Sequence, residues 1–149
     1  MSIDARLAEL GIELPEPIKP AANYVRYQVT GNLLYISGTG PSAEHKKGKI
    51  GADLTVEDGY AAARSVGLQL LATAKDALGS LDRVTKVVKV FGMVNADPLF
   101  GKHPLVINGC SDVLVEVLGE AGRHTRSAIG MGSLPNGISV EIEATFEFE

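Results

Sequence analysis

The last residues of the chain alternate between apolar and polar side chains. The apolar positions are Ile138, Val140, Ile142, Ala144, Phe146 and Phe148, and the positions between them are Ser139, Glu141, Glu143, Thr145, Glu147 and Glu149. Because successive side chains of a β-strand point to opposite faces of a sheet, this pattern predicts a strand with one buried face and one acidic face. The buried face needs a covering layer, which favours a sheet packed against helices.

Helical patterns supply that layer. Residues 55–79 begin with a capping box and continue with apolar residues at helical spacing up to a terminal glycine. A second helix is predicted from Pro104 to Gly119 or Gly122, since proline is tolerated in the first turn. A short amphipathic helix is predicted over residues 2–10.

The remaining apolar segments have the composition of strands. A hairpin is predicted around Thr30-Gly31-Asn32, and a strand over residues 83–94. The last two strands are joined around Pro135-Asn136-Gly137, where Asn-Gly is a strong turn signal. The order β-β-α-β-α-β-β predicts an α+β sandwich, with two helices on one face of a mostly antiparallel or mixed sheet.

The composition is that of one globular domain. We expect a single domain over residues 1–149, in which residues 1–20 form an N-terminal helix and a proline-rich connector. The net charge of −4 gives no electrostatic footprint for nucleic acid, and the basic residues at 45–49 are expected to form a solvated loop. No apolar run reaches the roughly 18 residues of a membrane span, and the N-terminus lacks a signal-peptide core, so we expect a cytoplasmic protein with no membrane partner.

Cysteine and histidine usage argues against a metal. Cys110 is the single cysteine, and His45, His103 and His124 are scattered, so neither a thiolate cluster nor a histidine pair at ligand spacing exists. We expect no metal site. The apolar neighbours of Cys110 favour a buried, small apolar role over a reactive thiol.

Arg126 is the most suggestive charged residue. On its predicted strand, one side carries Arg126, Ala128, Gly130 and Gly132. Small neighbours leave room for a ligand, and a guanidinium is suited to two-point recognition of a carboxylate. We expect Arg126 on the sheet face that the helices leave open, or at its rim. The alternative is a structural salt bridge to Glu141 or Glu143 across neighbouring strands.

Two segments resemble a known family. The run TRSAIGMGSLPNGISVEIEATF is similar to the C-terminal signature of the Rid family, the reactive intermediate deaminases also called YjgF-like proteins, with its Arg-Ser pair, Leu-Pro turn and Glu-Ile-Glu strand. The run NYVRYQVTGNLLYISGTGP is similar to the first hairpin of that family. The resemblance spans about residues 20–148, which sets the first 20 residues apart as an N-terminal addition.

The resemblance implies a chorismate-mutase-like fold, a homotrimer, and ligand sites in the clefts between subunits. It also implies hydrolysis of reactive enamines and imines, such as 2-aminoacrylate, to 2-keto acids and ammonia, without a cofactor. The partners are then small imino and keto acids and other copies of the chain. The loop at residues 95–104 is longer than is usual in the family, and Ala128 stands where the family often has cysteine.

The resemblance also implies a role for each site residue. Arg126 holds the substrate carboxylate, and Glu141 positions or activates the attacking water. Tyr24, Asn108 and backbone groups at Gly38 and Ala128 shape the cleft. From the residues alone, Tyr24 could equally be a packing aromatic and Asn108 a helix-surface amide. The other acids of the last strand are read as solvated or interface charges.

Three functions therefore stay open at this point. The first is the deaminase, which needs both the arginine and the glutamate of the motif. The second is a binding module of the same fold that captures small carboxylates without chemistry. The third is an RNA-cleaving or translation-inhibiting role, which the acidic balance and the absence of tryptophan disfavour.

Overall fold

The computed structural model describes residues 1–149 and contains three α-helices and five strands. The helices are α1 (Ile3–Leu10), α2 (Val56–Leu78) and α3 (His103–Leu118), and the strands are β1 (Tyr27–Thr30), β2 (Leu33–Thr39), β3 (Val84–Asn95), β4 (Thr125–Met131) and β5 (Val140–Phe148). The predicted order of elements is confirmed.

The ends of the helices follow from local chemistry. The hydroxyl of Ser2 accepts a hydrogen bond from the Ala5 amide and caps α1. Thr55 and Asp58 form the reciprocal capping box at the start of α2, as predicted. Gly79 ends α2 with φ at +82°, a left-handed conformation that favours glycine.

The five strands form one mixed sheet in the order β1-β2-β5-β3-β4. β3 and β4 are parallel, and the other neighbours are antiparallel. α2 contacts β2 and β5, α3 contacts β3 and β4, and α1 packs against α3. The two long helices thus cover one face, which confirms the predicted α+β architecture.

The connection between β4 and β5 differs from the simplest expectation. Asn136 and Gly137 have positive φ values of 57° and 71°, so the predicted turn is present. However, β3 lies between β4 and β5, and the two strands are not paired. β4 follows α3 in a strand-helix-strand unit and therefore runs parallel to β3, whereas the turn only redirects the chain across the end of β3.

α2 and α3 approach closely through two glycines. A Cβ atom at Gly67 would overlap the side chain of Val113, and one at Gly109 would overlap the carbonyl oxygen of Tyr60. Cys110 is fully buried at this contact, and burial raises the pKa of its thiol to about 12. Cys110 is therefore the buried apolar residue that its neighbours predicted.

The basic loop before α2 is partly structural. Lys46 and Lys47 are exposed, in keeping with a solvated loop. The ammonium of Lys49 instead donates to Asn95 Oδ1 at 2.8 Å and to the carbonyl oxygen of Gly132 at 2.5 Å, which fixes the loop to the end of the sheet. None of the three helices is both long and apolar enough to cross a bilayer.

Candidate functional site

Arg126 lies on the edge strand β4, with its side chain on the helix-covered side of the sheet. β4 pairs in parallel with β3 so that Arg126 stands beside Val90, which is completely buried under the helices. Neighbours in register point to the same face. The expectation that Arg126 lies on the open face is therefore wrong: the strand is at the rim, but the register with β3 turns its guanidinium towards α3.

Two side chains of α3 hold that guanidinium. Arg126 Nη1 donates to Asn108 Oδ1 at 2.8 Å and to Ser111 Oγ at 3.1 Å. Asn108 and Ser111 are three residues apart and so share one face of the helix. Asn108, for which a helix-surface amide was one of the two interpretations, is thus a half-buried anchor for Arg126.

The alternative interpretation of Arg126 as a cross-strand salt bridge is wrong. Glu141 stands beside Met93 on β5, and β3 separates β5 from β4. Arg126 and Glu141 also point to opposite faces of the sheet. Neither residue belongs to any of the ion pairs of the chain.

The hydrogen bonds continue from Ser111 to a histidine. Ser111 Oγ lies 2.8 Å from His124 Nε2, and His124 Nδ1 lies 2.6 Å from the carbonyl oxygen of Gly122. Burial lowers the pKa of His124 from its ordinary value. The sequence interpretation missed Ser111 and His124 as site residues. His124 lies just before β4, two positions ahead of Arg126, and this spacing was the one available signal.

These residues line an open cavity of about 730 Å³ beside α3 and β4. Its walls are Arg6, Asn108, Ser111, Asp112, Val115, Glu116, Arg123, His124 and Arg126. The two acids are already engaged: Asp112 accepts the hydroxyl of Tyr60 at 2.6 Å, and Glu116 pairs with Arg64 at 3.0 Å. The hydrogen bond to Asp112 raises the pKa of Tyr60. We call this space the Arg126 cavity.

Glu141 lies on the opposite, open face, against Gly38. A Cβ atom at Gly38 would be 3.2 Å from both Cδ and Oε2 of Glu141, so the glycine makes space for this carboxylate. The carbonyl oxygen of Gly38 accepts a hydrogen bond from Nη1 of Arg26 at 3.2 Å. Arg26 itself is buried, and it was not singled out from the sequence.

The backbone next to Tyr24 is hydrogen-bonded to the residue next to Gly38. The next residue, Val25, accepts a hydrogen bond from the hydroxyl of Ser37, the neighbour of Gly38. Tyr24 is 44% exposed, which does not support a packing role within the chain. Gly38 and Glu141 therefore lie together, and Tyr24 is joined to them only through the backbone of Val25, whereas Arg126, Asn108 and Ala128 form a separate group.

Ala128 belongs to the Arg126 side. It follows Arg126 by two positions on β4, is half-buried, and packs against the core. β4 is an edge strand, so part of its backbone is not paired with another strand. No group of three histidine, cysteine, aspartate or glutamate residues lies together in a way that could hold a metal ion.

The chain is similar to known proteins in sequence and in fold. Residues 4–139 match the family described as "YjgF/chorismate_mutase-like, putative endoribonuclease". Protein TCP17 of Trypanosoma cruzi is 44% identical over 149 residues, which cover 97% of this chain and 93% of that protein. Because the family match begins at residue 4, it includes most of the segment set apart as an N-terminal addition, and that addition is not confirmed.

Solved structures show the same fold. A putative endoribonuclease from Shewanella oneidensis is 34% identical, with a TM-score of 0.94, over 99% of this chain and all of that chain. RidA from an Antarctic Psychrobacter is 26% identical, with a TM-score of 0.59, over 89% of this chain and 94% of that chain.

Proposed function

This chain belongs to the YjgF-like family, and from that membership we propose that it hydrolyses small enamines and imines bearing a carboxylate to 2-keto acids and ammonia. The substrate class is 2-aminoacrylate and its imine tautomer, as the resemblance to the Rid family implies. One observation carries the proposal: the guanidinium of Arg126 borders a polar cavity and has no carboxylate partner in its own chain.

The contacts of Arg126 leave it free to bind a carboxylate. Asn108 and Ser111 both use Nη1, while Nε and Nη2 form no hydrogen bond within the chain. These two nitrogens are the donors that a guanidinium presents to a carboxylate in a two-point pair. Because Nη1 is held by α3, Nε and Nη2 are oriented before the substrate binds, and this lowers the entropic cost of binding.

The complete site needs two copies of the chain. Arg126 and Glu141 point to opposite faces of the sheet, with β3 between their strands. A head-to-tail contact between copies brings two different surfaces together, and it forms a closed ring when the rotation between copies closes. We therefore propose a homotrimer in which each cleft takes Arg126, Asn108 and Ala128 from one subunit and Tyr24, Gly38 and Glu141 from the next.

Exposed apolar side chains on the sheet support this assembly. Tyr35 is 47% exposed and Ile129 is 40% exposed, and their partners in register, Thr145 and Met93, place both on the face opposite the helices. Exposed apolar side chains on two strands of one sheet face favour contact with another protein surface over contact with water. The face opposite the helices is therefore the proposed contact between subunits.

The chemistry that such a cleft must supply is modest. An imine carbon is already electrophilic, so the reaction needs an oriented substrate, a water molecule and proton transfer. Glu141 takes a proton from water as the water oxygen bonds to the imine carbon. The proton is returned to nitrogen to give a carbinolamine. The hydroxyl proton of that intermediate then passes to nitrogen, the carbon-nitrogen bond breaks, and ammonia leaves as the keto acid forms. No cofactor takes part in these steps.

The endoribonuclease activity in the names of some relatives receives less support. Binding to RNA depends mainly on Lys and Arg that neutralise phosphates, whereas this chain has a net charge of −4. A binding module without chemistry is the stronger alternative, because it needs the same carboxylate clamp.

The test combines ammonia release from a freshly generated 2-imino acid with binding of a 2-keto acid. Arg126→Lys should lose most activity and binding, because an ammonium cannot form the planar two-point pair. Glu141→Gln should lose turnover by about 10² to 10⁴-fold yet still bind the keto acid, since the amide keeps the shape but is a poor base. Glu143→Gln, on the same face of β5, is the matched control.

Each outcome has a distinct meaning. Keto-acid binding by the parent without ammonia release would identify a binding module. Retention of most activity by Arg126→Lys, or equal damage from Glu143→Gln and Glu141→Gln, would show that the residue roles are wrong.

A further inference from the structure

The hydrogen bonds around Ser111 determine where its proton lies. The carbonyl oxygen of Gly122 can only accept, so His124 Nδ1, at 2.6 Å, carries the ring proton. In the neutral ring His124 Nε2 is then an acceptor, and the Ser111 hydroxyl donates to it across 2.8 Å. Ser111 Oγ in turn accepts from Arg126 Nη1 at 3.1 Å.

We propose that Ser111 is a nucleophile for acyl transfer, with His124 as its general base and Arg126 as the charge that stabilises the oxyanion. The substrate class is short-chain carboxylic esters with a good leaving group. This activity shares Arg126 with imine hydrolysis but does not depend on Glu141 or on a second subunit.

The arrangement contains the three parts that an activated serine needs. A base lies within hydrogen-bond distance of the hydroxyl, a third group orients the base, and a positive charge contacts the nucleophile. The orienting group is a backbone carbonyl in place of a carboxylate. Since burial lowers the pKa of His124, the imidazole is neutral near pH 7 and can accept a proton.

The proposed reaction balances without a cofactor. Ser111 Oγ bonds to the ester carbonyl carbon as its proton passes to His124 Nε2, and the negative charge on the carbonyl oxygen is stabilised by Arg126. The carbon-oxygen bond to the alcohol then breaks, and the alcohol leaves with the proton from His124. Water repeats the sequence on the acyl-serine, releasing the acid and restoring the hydroxyl.

The walls of the Arg126 cavity limit the acyl group. Val115 is the one apolar residue among the nine that line it, so a long acyl chain finds little apolar surface. The acids of the wall do not compete for the histidine, because Asp112 is bonded to Tyr60 and Glu116 to Arg64. The cavity therefore favours short, polar acyl groups.

Hydrolysis of p-nitrophenyl acetate, with mass spectrometry of the acetylated protein, tests the proposal. The parent should release nitrophenolate and carry an acetyl group on the peptide containing Ser111. Ser111→Ala should remove both signals, and His124→Gln should slow acylation by about 10² to 10⁴-fold, the usual contribution of a general base. The controls are Ser127→Ala, on the other face of β4, and His45→Gln, on the loop before α2; both should behave as the parent.

A thiol at position 111 provides a second measurement that needs no ester. In Ser111→Cys, His124 and Arg126 favour the thiolate, so iodoacetamide should modify this cysteine at pH 7 at least about tenfold faster than in Ser111→Cys with His124→Gln. Cys110 gives no background because it is buried. Equal rates in the two proteins, or acetylation of the parent at a site other than Ser111, would overturn the proposal whether or not the protein hydrolyses imines.

Discussion

The two halves of the candidate site are built in different ways. On the helix-covered side, Arg126 is held by two side chains of α3 and is oriented within one chain. On the open side, Glu141 lies against Gly38 and takes part in no ion pair. The difference indicates that the cation is positioned by the fold itself, while the role proposed for Glu141 depends on a second copy of the chain covering the open face.

The largest expected effect is the recovery of activity in trimers that mix an Arg126 variant with a Glu141 variant. Arg126→Ala and Glu141→Gln should each lose on the order of 10² or more in imine hydrolysis. If each cleft takes Arg126 from one subunit and Glu141 from the next, unfolding and refolding an equal mixture should restore about a quarter of the parent activity, because a quarter of random clefts combine the two intact residues. Ammonia release from the refolded mixture measures this.

The control for the hybrids is each variant refolded alone, which should stay inactive. A mixture no more active than its components would show that both residues serve the same cleft from one chain, or that the chain does not form a ring.

A methyl group at Gly38 should affect only the Glu141 half. In Gly38→Ala the new Cβ lies 3.2 Å from the Glu141 carboxylate, tighter than ordinary van der Waals contact, so the carboxylate must shift. We expect kcat for imine hydrolysis to fall about tenfold, with little change in keto-acid binding at Arg126. Gly132→Ala is the matched control because nothing lies within 4 Å of its Cβ. A fall in keto-acid affinity as large as the fall in kcat would contradict the separation of the halves.

The smallest expected effect is on the free energy of unfolding, and it arises from His124 beside Arg126. Burial lowers the folded-state pKa of His124 below its ordinary value near 6.5, so between these two values the unfolded chain binds more protons than the folded one. The contribution of His124 to the free energy of unfolding is therefore complete above about pH 6.5 and is lost as the pH falls towards the folded-state pKa.

Urea unfolding at several pH values between 5 and 8 measures this contribution. His124→Gln should show a weaker loss of stability on acidification than the parent. Parallel curves for His124→Gln and the parent would mean that His124 does not titrate differently in the folded state.

The sequence predicted the elements better than their arrangement. The capping box at Thr55 and Asp58 and the alternation in β5 are local patterns, and both proved correct. The face occupied by Arg126 was predicted wrongly, because it depends on the parallel register of β4 with β3, which nothing within β4 encodes. The contact of Ser111 with His124 likewise joins two elements, so spacing within either one could not reveal it.

The Asn-Gly turn illustrates the same limit. Asn136 and Gly137 adopt the positive φ values that this pair favours, so the backbone conformation was predictable. Which strands pair on either side of a turn depends on the whole sheet, and here β3 occupies the position next to β5 that a hairpin would give to β4.

The close approach of α2 and α3 at Gly109 also constrains how this protein can change in evolution. Gly109 lies between the two residues that anchor Arg126, and it has space for a hydrogen atom but not for a methyl group. A larger residue there would push the helices apart and carry Asn108 and Ser111 with them, so the orientation of Arg126 would change although none of these three residues had been replaced. A lineage can therefore accept a side chain at position 109 only together with a compensating shift of the α2 backbone.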